Sequence, residues 1–392
     1  MYRNDTPSRF GRALKLFSCF FVVGMVALVF GYIFSTKYIE GEAENQVVQE
    51  AKLYNTVFKS DFLNYLNSLR NEITAFAGNP AMKKLVIDMV DSYSKIGPDA
   101  QKILVKKYGK NVTPQTQDTA AVSAATSVPD SDAASSALAF YDALYSTYEP
   151  IFADLEKSLY LYDVLIIDPH GTVLYSREKY GDFAINIATD EKWKASELSL
   201  IFKEASALKG GEVALHDVEP YAPAGAADNG AYSSLMATPI IDNGNLLGVL
   251  VFRLSFTPHP AAFNYKEILR SGENIYIIGK DNKVSRSING MPFKQELLGI
   301  GRDSFVVEVS PGEKRGVAIE KTEFLGNNWQ IITELNFDAR IQDISDLEEG
   351  LLDKYAEIAA ASALFFLLLS LLFSRGGKPP EKRVERIGRY SR

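Results

Sequence analysis

Residues able to do covalent or metal chemistry are sparse in this chain and badly spaced. It has three histidines (His170, His216 and His259) and one cysteine, Cys19. No His-x-x-x-His pair and no paired-cysteine spacing occurs, so a metal ion would find no converging ligands. No Gly-x-Ser-x-Gly elbow marks a nucleophile, and no glycine-rich phosphate loop opens a helix. Carboxylates are plentiful, but most fall in turns or on helix faces, where water is their partner. The residues therefore predict no enzyme, no cofactor and no metal, and no nucleic-acid partner is expected. Binding of a small organic ligand remains. Such a site needs an apolar wall with a few placed polar groups. Residues 161–257 concentrate candidates: Tyr175, Arg177, Lys179, Asp182, Asp217, Tyr221, Tyr232 and Arg253.

Each candidate has a plain structural reading beside the functional one. Arg253 lies in a run of Val, Leu and Phe. Alternation places Val249, Val251 and Arg253 on one face and Leu250, Phe252 and Leu254 on the other, which favours solvent for Arg253. Turned inward, its guanidinium needs an anion, which a ligand carboxylate supplies bidentately. Tyr175 serves either as core packing or as a ligand contact with a hydrogen-bonding tip. Tyr221, flanked by Pro220 and Ala222-Pro223, either gates a pocket or caps a sheet.

The elements that must position these residues follow from periodicity. Residues 38–77 repeat apolar positions at helical spacing (Val48, Leu53, Val57, Phe58, Phe62, Leu66, Leu69, Ile73 and Phe76) until Gly78-Asn79-Pro80 stops them. Ala81 to Val90 and Ser92 to Lys107 predict shorter helices. Residues 112–137, rich in Ala, Ser, Thr and Pro, predict a mobile loop. Ala134 to Tyr160 predicts a helix broken near Pro150. Asp163–Asp168 and Thr172–Arg177 form a hairpin signal around Pro169-His170-Gly171. A helix over Trp193–Leu208 follows, then strands over Val213–Val218, Tyr232–Ile241 and Leu246–Ser255. Asp242-Asn243-Gly244-Asn245 makes the last two a hairpin. A shorter copy comes next: Asn274–Gly279, a turn at Lys280-Asp281-Asn282, Lys283–Ser287, Ser304–Ser310, Arg315–Phe324 and Asn328–Leu335. Asn336 or Asp338 can cap a last helix, Asp338 to Lys354. The fold class is α+β, with two antiparallel sheets in tandem behind a long N-terminal helix.

Charge and hydropathy set the topology. The 392 residues carry a net charge of −7, but the charge is segregated. Residues 1–15 hold Arg3, Arg9, Arg12 and Lys15 against Asp5. Residues 375–392 hold seven basic residues against Glu381 and Glu385, which leaves the middle strongly acidic. Leu16–Ser35 has no charge in twenty residues, or about 30 Å of helix, the thickness of a bilayer core. Ile358–Ser374 is a second apolar stretch of 17 residues. The first is too long for a signal-peptide core, and no small-x-small site follows it directly. Basic flanks predict two spans in a bacterial inner membrane, with both termini cytoplasmic and an ectodomain, residues 36–357, in the periplasm. The lone cysteine lies within a span, so the ectodomain carries no disulfide. The basic 375–392 tail reads first as a topology determinant touching anionic lipid, and second as a docking segment.

Three segments in order carry a family resemblance: LYDVLIIDPHGTVLYSREKYGDFAINI at 161–187, the stretch from His216 to Ser255 ending in NLLGVLVFRLS, and ENIYIIGKDNKVSRS at 273–287. Together with the layout they resemble the double Cache (dCache) sensor domain of bacterial chemoreceptors and transmembrane sensors. The resemblance implies two PAS-like modules flanked by the two membrane helices. The distal module would span 161–257 and the proximal one 258–357, behind a helical stalk at 36–160. It also implies a ligand pocket in the distal module, a homodimer and signal transduction, as in chemotaxis. The Arg and Trp that amino-acid-sensing members place before the first strand are missing from Glu149–Asp163, and Arg253 stands near the place of their last-strand Asp. The resemblance therefore does not imply a standard free amino acid as the ligand. Such receptors usually continue into an output module, and eighteen residues follow the second span here. That predicts signalling through a separate cytoplasmic or membrane partner. The alternative is a non-catalytic envelope scaffold that uses the ectodomain for protein contacts.

Overall fold

The structure, a computed structural model, describes residues 9–109, 131–221, 223, 232–254, 265, 268–282 and 284–375. Most of the predicted 112–137 loop and all but one residue of the basic tail lie outside them. The helices are α1 (Arg9–Gly78), α2 (Pro80–Ile96), α3 (Ala100–Tyr108), α4 (Asp132–Leu159), α5 (Glu197–Ser206), α6 (Phe337–Arg340) and α7 (Gln342–Arg375). The first five strands are β1 (Leu161–Ile167), β2 (Val173–Ser176), β3 (Ala214–Pro220), β4 (Tyr232–Asp242) and β5 (Asn245–Leu254). The second five are β6 (Asn274–Ile278), β7 (Val284–Ser287), β8 (Ser304–Ser310), β9 (Glu313–Phe324) and β10 (Asn327–Asn336).

Both sheets are antiparallel and share one topology, β2-β1-β5-β4-β3 and β7-β6-β10-β9-β8. The antiparallel α+β class with a long N-terminal helix is as the sequence predicts. Three local expectations need correction. The helix break falls at Gly97-Pro98, where Gly97 takes φ +93°, so α2 runs on through Ser92. α4 continues through Pro150; Tyr141, Tyr145, Phe152 and Leu155 bury on either side of it and hold the helix on line. α4 starts at Asp132, two residues before the expected helix start at Ala134 and inside the expected loop, capped by the Ser131 hydroxyl, which accepts from the Ala134 amide at 3.1 Å.

The chain divides into two units. In the first, Met1–Val47 with Phe337–Arg392, the apolar parts of α1 and α7 pack side by side. Phe20 stacks on Phe366 at 6.1 Å, and Tyr32 meets Tyr355 edge-on at 5.6 Å. Among the described residues one helix, Phe17–Gly78, holds a window long and apolar enough to cross a membrane, at a mean hydropathy of 2.4.

The second unit, Val48–Asn336, holds both sheets. Helices cover both faces of the first sheet. On one face Leu165, Ile167, Val249 and Val251 bury against Leu198, Ile201 and Phe202 of α5 and against Trp193. On the other, α2 and α4 pack over β1 and β5. β5 can approach β1 closely there because residue 248 is glycine. A Cβ at Gly248 would lie 2.5 Å from the Ile167 carbonyl oxygen and 3.2 Å from Val86 of α2. In the second sheet, Tyr276, Ile278, Phe305, Val317 and Ile332 bury together on one face. The other face takes α1: Asn55, 1% exposed, donates to the Ile331 carbonyl at 3.2 Å and accepts from the Thr333 hydroxyl at 2.6 Å.

Gly248→Ala is therefore expected to destabilise the folded chain by about 1–3 kcal/mol, the usual cost of overpacking. Thermal unfolding of the full chain in detergent checks it, and an unchanged midpoint would contradict the packing described.

Candidate ligand-binding site

The polar cluster of the first sheet sits where β1 begins and β5 ends. Register pairs Asp163 of β1 with Arg253 of β5, and Arg253 with Leu235 of β4. Leu235, Val249 and Val251 belong to the α5-facing core, so Arg253 extends that core's row. It is 0% exposed. The solvent-facing orientation favoured by simple alternation is thus corrected. α5 and the loop after β2 cover the face that alternation assigns to water.

Arg253 is held by aromatic rings and a hydroxyl. Its Nε donates to Ser233 Oγ at 2.8 Å. Its guanidinium carbon stands 4.2 Å from the ring centre of Tyr221, 5.0 Å from Tyr162 and 5.5 Å from Tyr180, within cation–π range. The Tyr221 hydroxyl donates in turn to Asp182 Oδ2. Asp182 is fully buried, and its Oδ1 has no hydrogen-bond partner among the described residues. Burial pushes the Asp182 carboxyl above the ordinary carboxylate range, against the pull of Tyr221, of the Asp182 and Phe183 backbone amides and of Arg253.

Asp163 is a second buried carboxylate with a different role. Its Oδ1 accepts from the amides of Val164 at 2.7 Å, Arg177 at 2.8 Å and Glu178 at 3.1 Å. Its Oδ2 accepts from Ser176 Oγ at 2.7 Å. This side chain pins the turn after β2 onto β1. Burial and the neighbouring Asp182 push its pKa up to about 8; Ser176, the Glu178 amide and Arg253 pull the other way and are outweighed.

The sequence candidates therefore separate. Arg253, Asp182 and Tyr221 come together. Tyr175 and Arg177 do not join them, because the β1–β2 register shifts between Ile166 and Ile167 and turns Tyr175 to the α4 face. There Tyr175 donates to Glu149 at 2.6 Å and packs on Phe152 at 4.7 Å, while Arg177 pairs with Glu149 at 3.2 Å and Glu156 at 3.6 Å. Burial, then the Glu149 contact, raises the Tyr175 pKa. Lys179 Nζ lies 4.8 Å from the Tyr145 ring centre on the same side. Asp217 accepts from Trp329 Nε1 at 2.9 Å, which is a link to the second sheet. Tyr232 opens β4, and its side chain lies outside the described residues. Sequence reasoning missed Tyr162, Tyr180, Ser233 and Asp163. A signal existed for Asp163, a charge opening an otherwise apolar strand.

The second sheet repeats this arrangement with its polar groups exchanged. Register pairs Asn274 of β6 with Glu334 of β10, the places of Asp163 and Arg253. Asn274 Oδ1 accepts from the amides of Ile275 at 2.9 Å and Asn289 at 2.8 Å, and its Nδ2 donates to Ser287 Oγ at 2.6 Å. Arg315 stands where Ser233 stands in the first sheet, two residues before Val317, the register partner of Glu334. It reaches Glu334 at 3.7 Å, Glu313, and the Gly272 carbonyl at 2.5 Å.

No protein-family model matches the chain, and no curated protein matches it. Among solved structures it is similar to the ligand-binding domain of the Pseudomonas fluorescens chemoreceptor CtaA in complex with L-isoleucine. That likeness has 14% identity, covers 79% of this chain and 98% of that one, and has a TM-score of 0.40. It is also similar to the ligand-binding domain of the Campylobacter jejuni chemoreceptor Tlp3 in complex with 4-methylisoleucine, at 12% identity over 76% and 94% of the two chains and a TM-score of 0.42. A third likeness, at 11% identity over 73% and 98% and a TM-score of 0.37, is to the sensor domain of the V. cholerae histidine kinase DctB. The sensor roles and the ligands named belong to those proteins.

Asn274 shows that an amide can fill the place of Asp163. Asp163→Asn keeps an acceptor for the three amides and gives Ser176 a donor, so the fold is expected to persist. An aspartate in the unfolded chain titrates near pH 4, whereas the folded-state value here is about 8. The stability this group contributes is complete below about pH 4 and is lost as pH rises toward about 8. Urea unfolding between about pH 5 and 8 should show the full chain losing stability with rising pH and Asp163→Asn losing less. Equal slopes would contradict the assignment.

Proposed function

We propose that this chain is a membrane-anchored extracytoplasmic sensor that binds a small organic molecule at the Arg253–Asp182–Tyr221 cluster. The observation that carries the reading is the Asp182 Oδ1 atom. It is a fully buried carboxylate oxygen without a hydrogen-bond partner among the described residues, while the other oxygen, Oδ2, accepts from Tyr221, whose ring faces a buried guanidinium. An unsatisfied buried acceptor costs about 1–3 kcal/mol. A ligand that donates to Asp182 and presents an acid or carbonyl oxygen to Arg253 removes that cost. The three tyrosine rings and the adjoining α5 core supply the apolar wall such a pocket needs.

The role is binding without turnover. Two spans anchor the protein, through the apolar segments within α1 and α7, and the basic flanks keep both termini in the cytoplasm. Binding biases the equilibrium between two arrangements of the first module, and a cytoplasmic partner delivers the output.

Thermal unfolding of the full chain in lipid nanodiscs tests the reading against a panel of organic acids, amines and nucleobases. A compound bearing both a donor and an acid group is expected to stabilise the fold, by about 2.7 kcal/mol at a hundred times its Kd. Arg253→Met and Asp182→Ala should each remove that gain while remaining folded. The proposal fails if no compound at millimolar concentration raises the midpoint, or if the gain survives both substitutions.

A further inference from the structure

Strand β3 (Ala214–Pro220) leads at one end into Tyr221 of the polar cluster and carries a link to the second sheet in its middle. It is the edge strand, and its pairing with β4 shifts between His216 and Glu219, which leaves Asp217 and Val218 out of the ladder. Asp217 Oδ1 accepts from Trp329 Nε1 at 2.9 Å, and the Leu215 carbonyl accepts from Asn327 Nδ2 at 2.7 Å. Four residues beyond Asp217, Tyr221 holds Asp182 and faces Arg253. On the strand's other flank, His216 is bracketed by α5, with Nδ1 2.9 Å from Glu197 and Nε2 3.0 Å from Glu204.

Trp329 is 1% exposed and opens the row of β10 that faces α1. Its ring meets Phe62 of α1 edge-on at 5.4 Å. Two and four residues on, Ile331 and Thr333 are the residues bonded to Asn55. The indole thus has its N–H on the first sheet and its ring on α1.

We propose that Asp217 is a coupling residue: its bond to Trp329 transmits displacement of the Tyr221 segment to Phe62 and α1. This rests on reading the Arg253–Asp182–Tyr221 cluster as the ligand site and assigns how that site is read out. A coupling claim needs an element that both ends bias, and here that element is the bulged segment from Asp217 to Tyr221. Strand pairing is interrupted at Asp217 and Val218 and resumes at Glu219 and Pro220, so the segment can shift at the sheet edge without breaking the β4–β5 ladder.

The test uses no ligand. Tyr221→Phe removes the hydroxyl from Asp182 and perturbs the pocket end alone. Hydrogen exchange of the full chain in nanodiscs is read at peptides covering residues 53–66 of α1 and 325–333 of β9–β10. Tyr221→Phe is expected to speed exchange there about fivefold or more, the low end of ordinary coupling between sites. The same substitution made on a Trp329→Phe background, which keeps a ring but lacks the N–H, should change pocket peptides only. An Asp217→Ala background should behave likewise and serves if the Phe variant does not fold. The proposal is overturned if Tyr221→Phe leaves α1 unchanged, or if its effect on α1 persists in either background. Ligand binding is judged separately by the melting experiment, so either reading can fail alone.

Discussion

Three ionisable side chains, Arg253, Asp163 and Asp182, are fully buried within one end of a single sheet core. Removing an ion from water costs several kcal/mol even after the protein relaxes. Much of the local structure answers that cost. The turn after β2 wraps its amides around Asp163, Ser233 leaves room for Arg253 to lie flat, and Tyr162, Tyr180 and Tyr221 present ring faces to the guanidinium. A weakly hydrated, planar cation suits that arrangement better than an ammonium would. The three tyrosines come from three separated segments, so the cluster also fixes how β1, the loop after β2 and the end of β3 meet.

The second sheet is a built-in comparison. The same register positions hold Asn274 and Glu334 there, and the turn-pinning role needs only a carbonyl oxygen, which an amide supplies. Charge at position 163 is thus unnecessary for folding the turn. Position 253 differs more. In the second sheet the buried carboxylate of Glu334 faces an arginine from the neighbouring strand, which also binds Glu313 and the Gly272 carbonyl. That set is an internally paired brace. In the first sheet the small Ser233 replaces the neighbouring arginine, and aromatic faces and a second carboxylate surround the cation instead. Two modules of one topology have placed their polar groups for different purposes.

Most elements were legible from pattern alone. Alternation and the Asn243-Gly244 turn located the β4–β5 hairpin, and the recurrence of strand spacing located the second sheet. What failed had a common cause in tertiary cover. Alternation assigns Arg253 to water only if one face of the sheet is wet. Here helices bury both faces, as in sheets whose strands read as continuous apolar runs, and β5 is such a run. The displacement of Tyr175 and Arg177 from the site traces to one extra residue in β2, and a bulge leaves no clear mark in sequence. Tyr162 and Tyr180 were hidden because their neighbour, Arg253, is remote in the chain.

The same reasoning applies to α1. Asn55 is a polar residue in an apolar stripe, and a periodicity argument treats it as an interruption. In the fold its amide bonds the Ile331 carbonyl and the Thr333 hydroxyl of β10, so both of its polar atoms are met in a dry interface. A fully paired buried amide fixes register more sharply than apolar contact, since sliding by one residue would leave donor and acceptor unmet. α1 is therefore locked to β10 at a defined height, and the third residue of β10 is the tryptophan whose N–H reaches the first sheet.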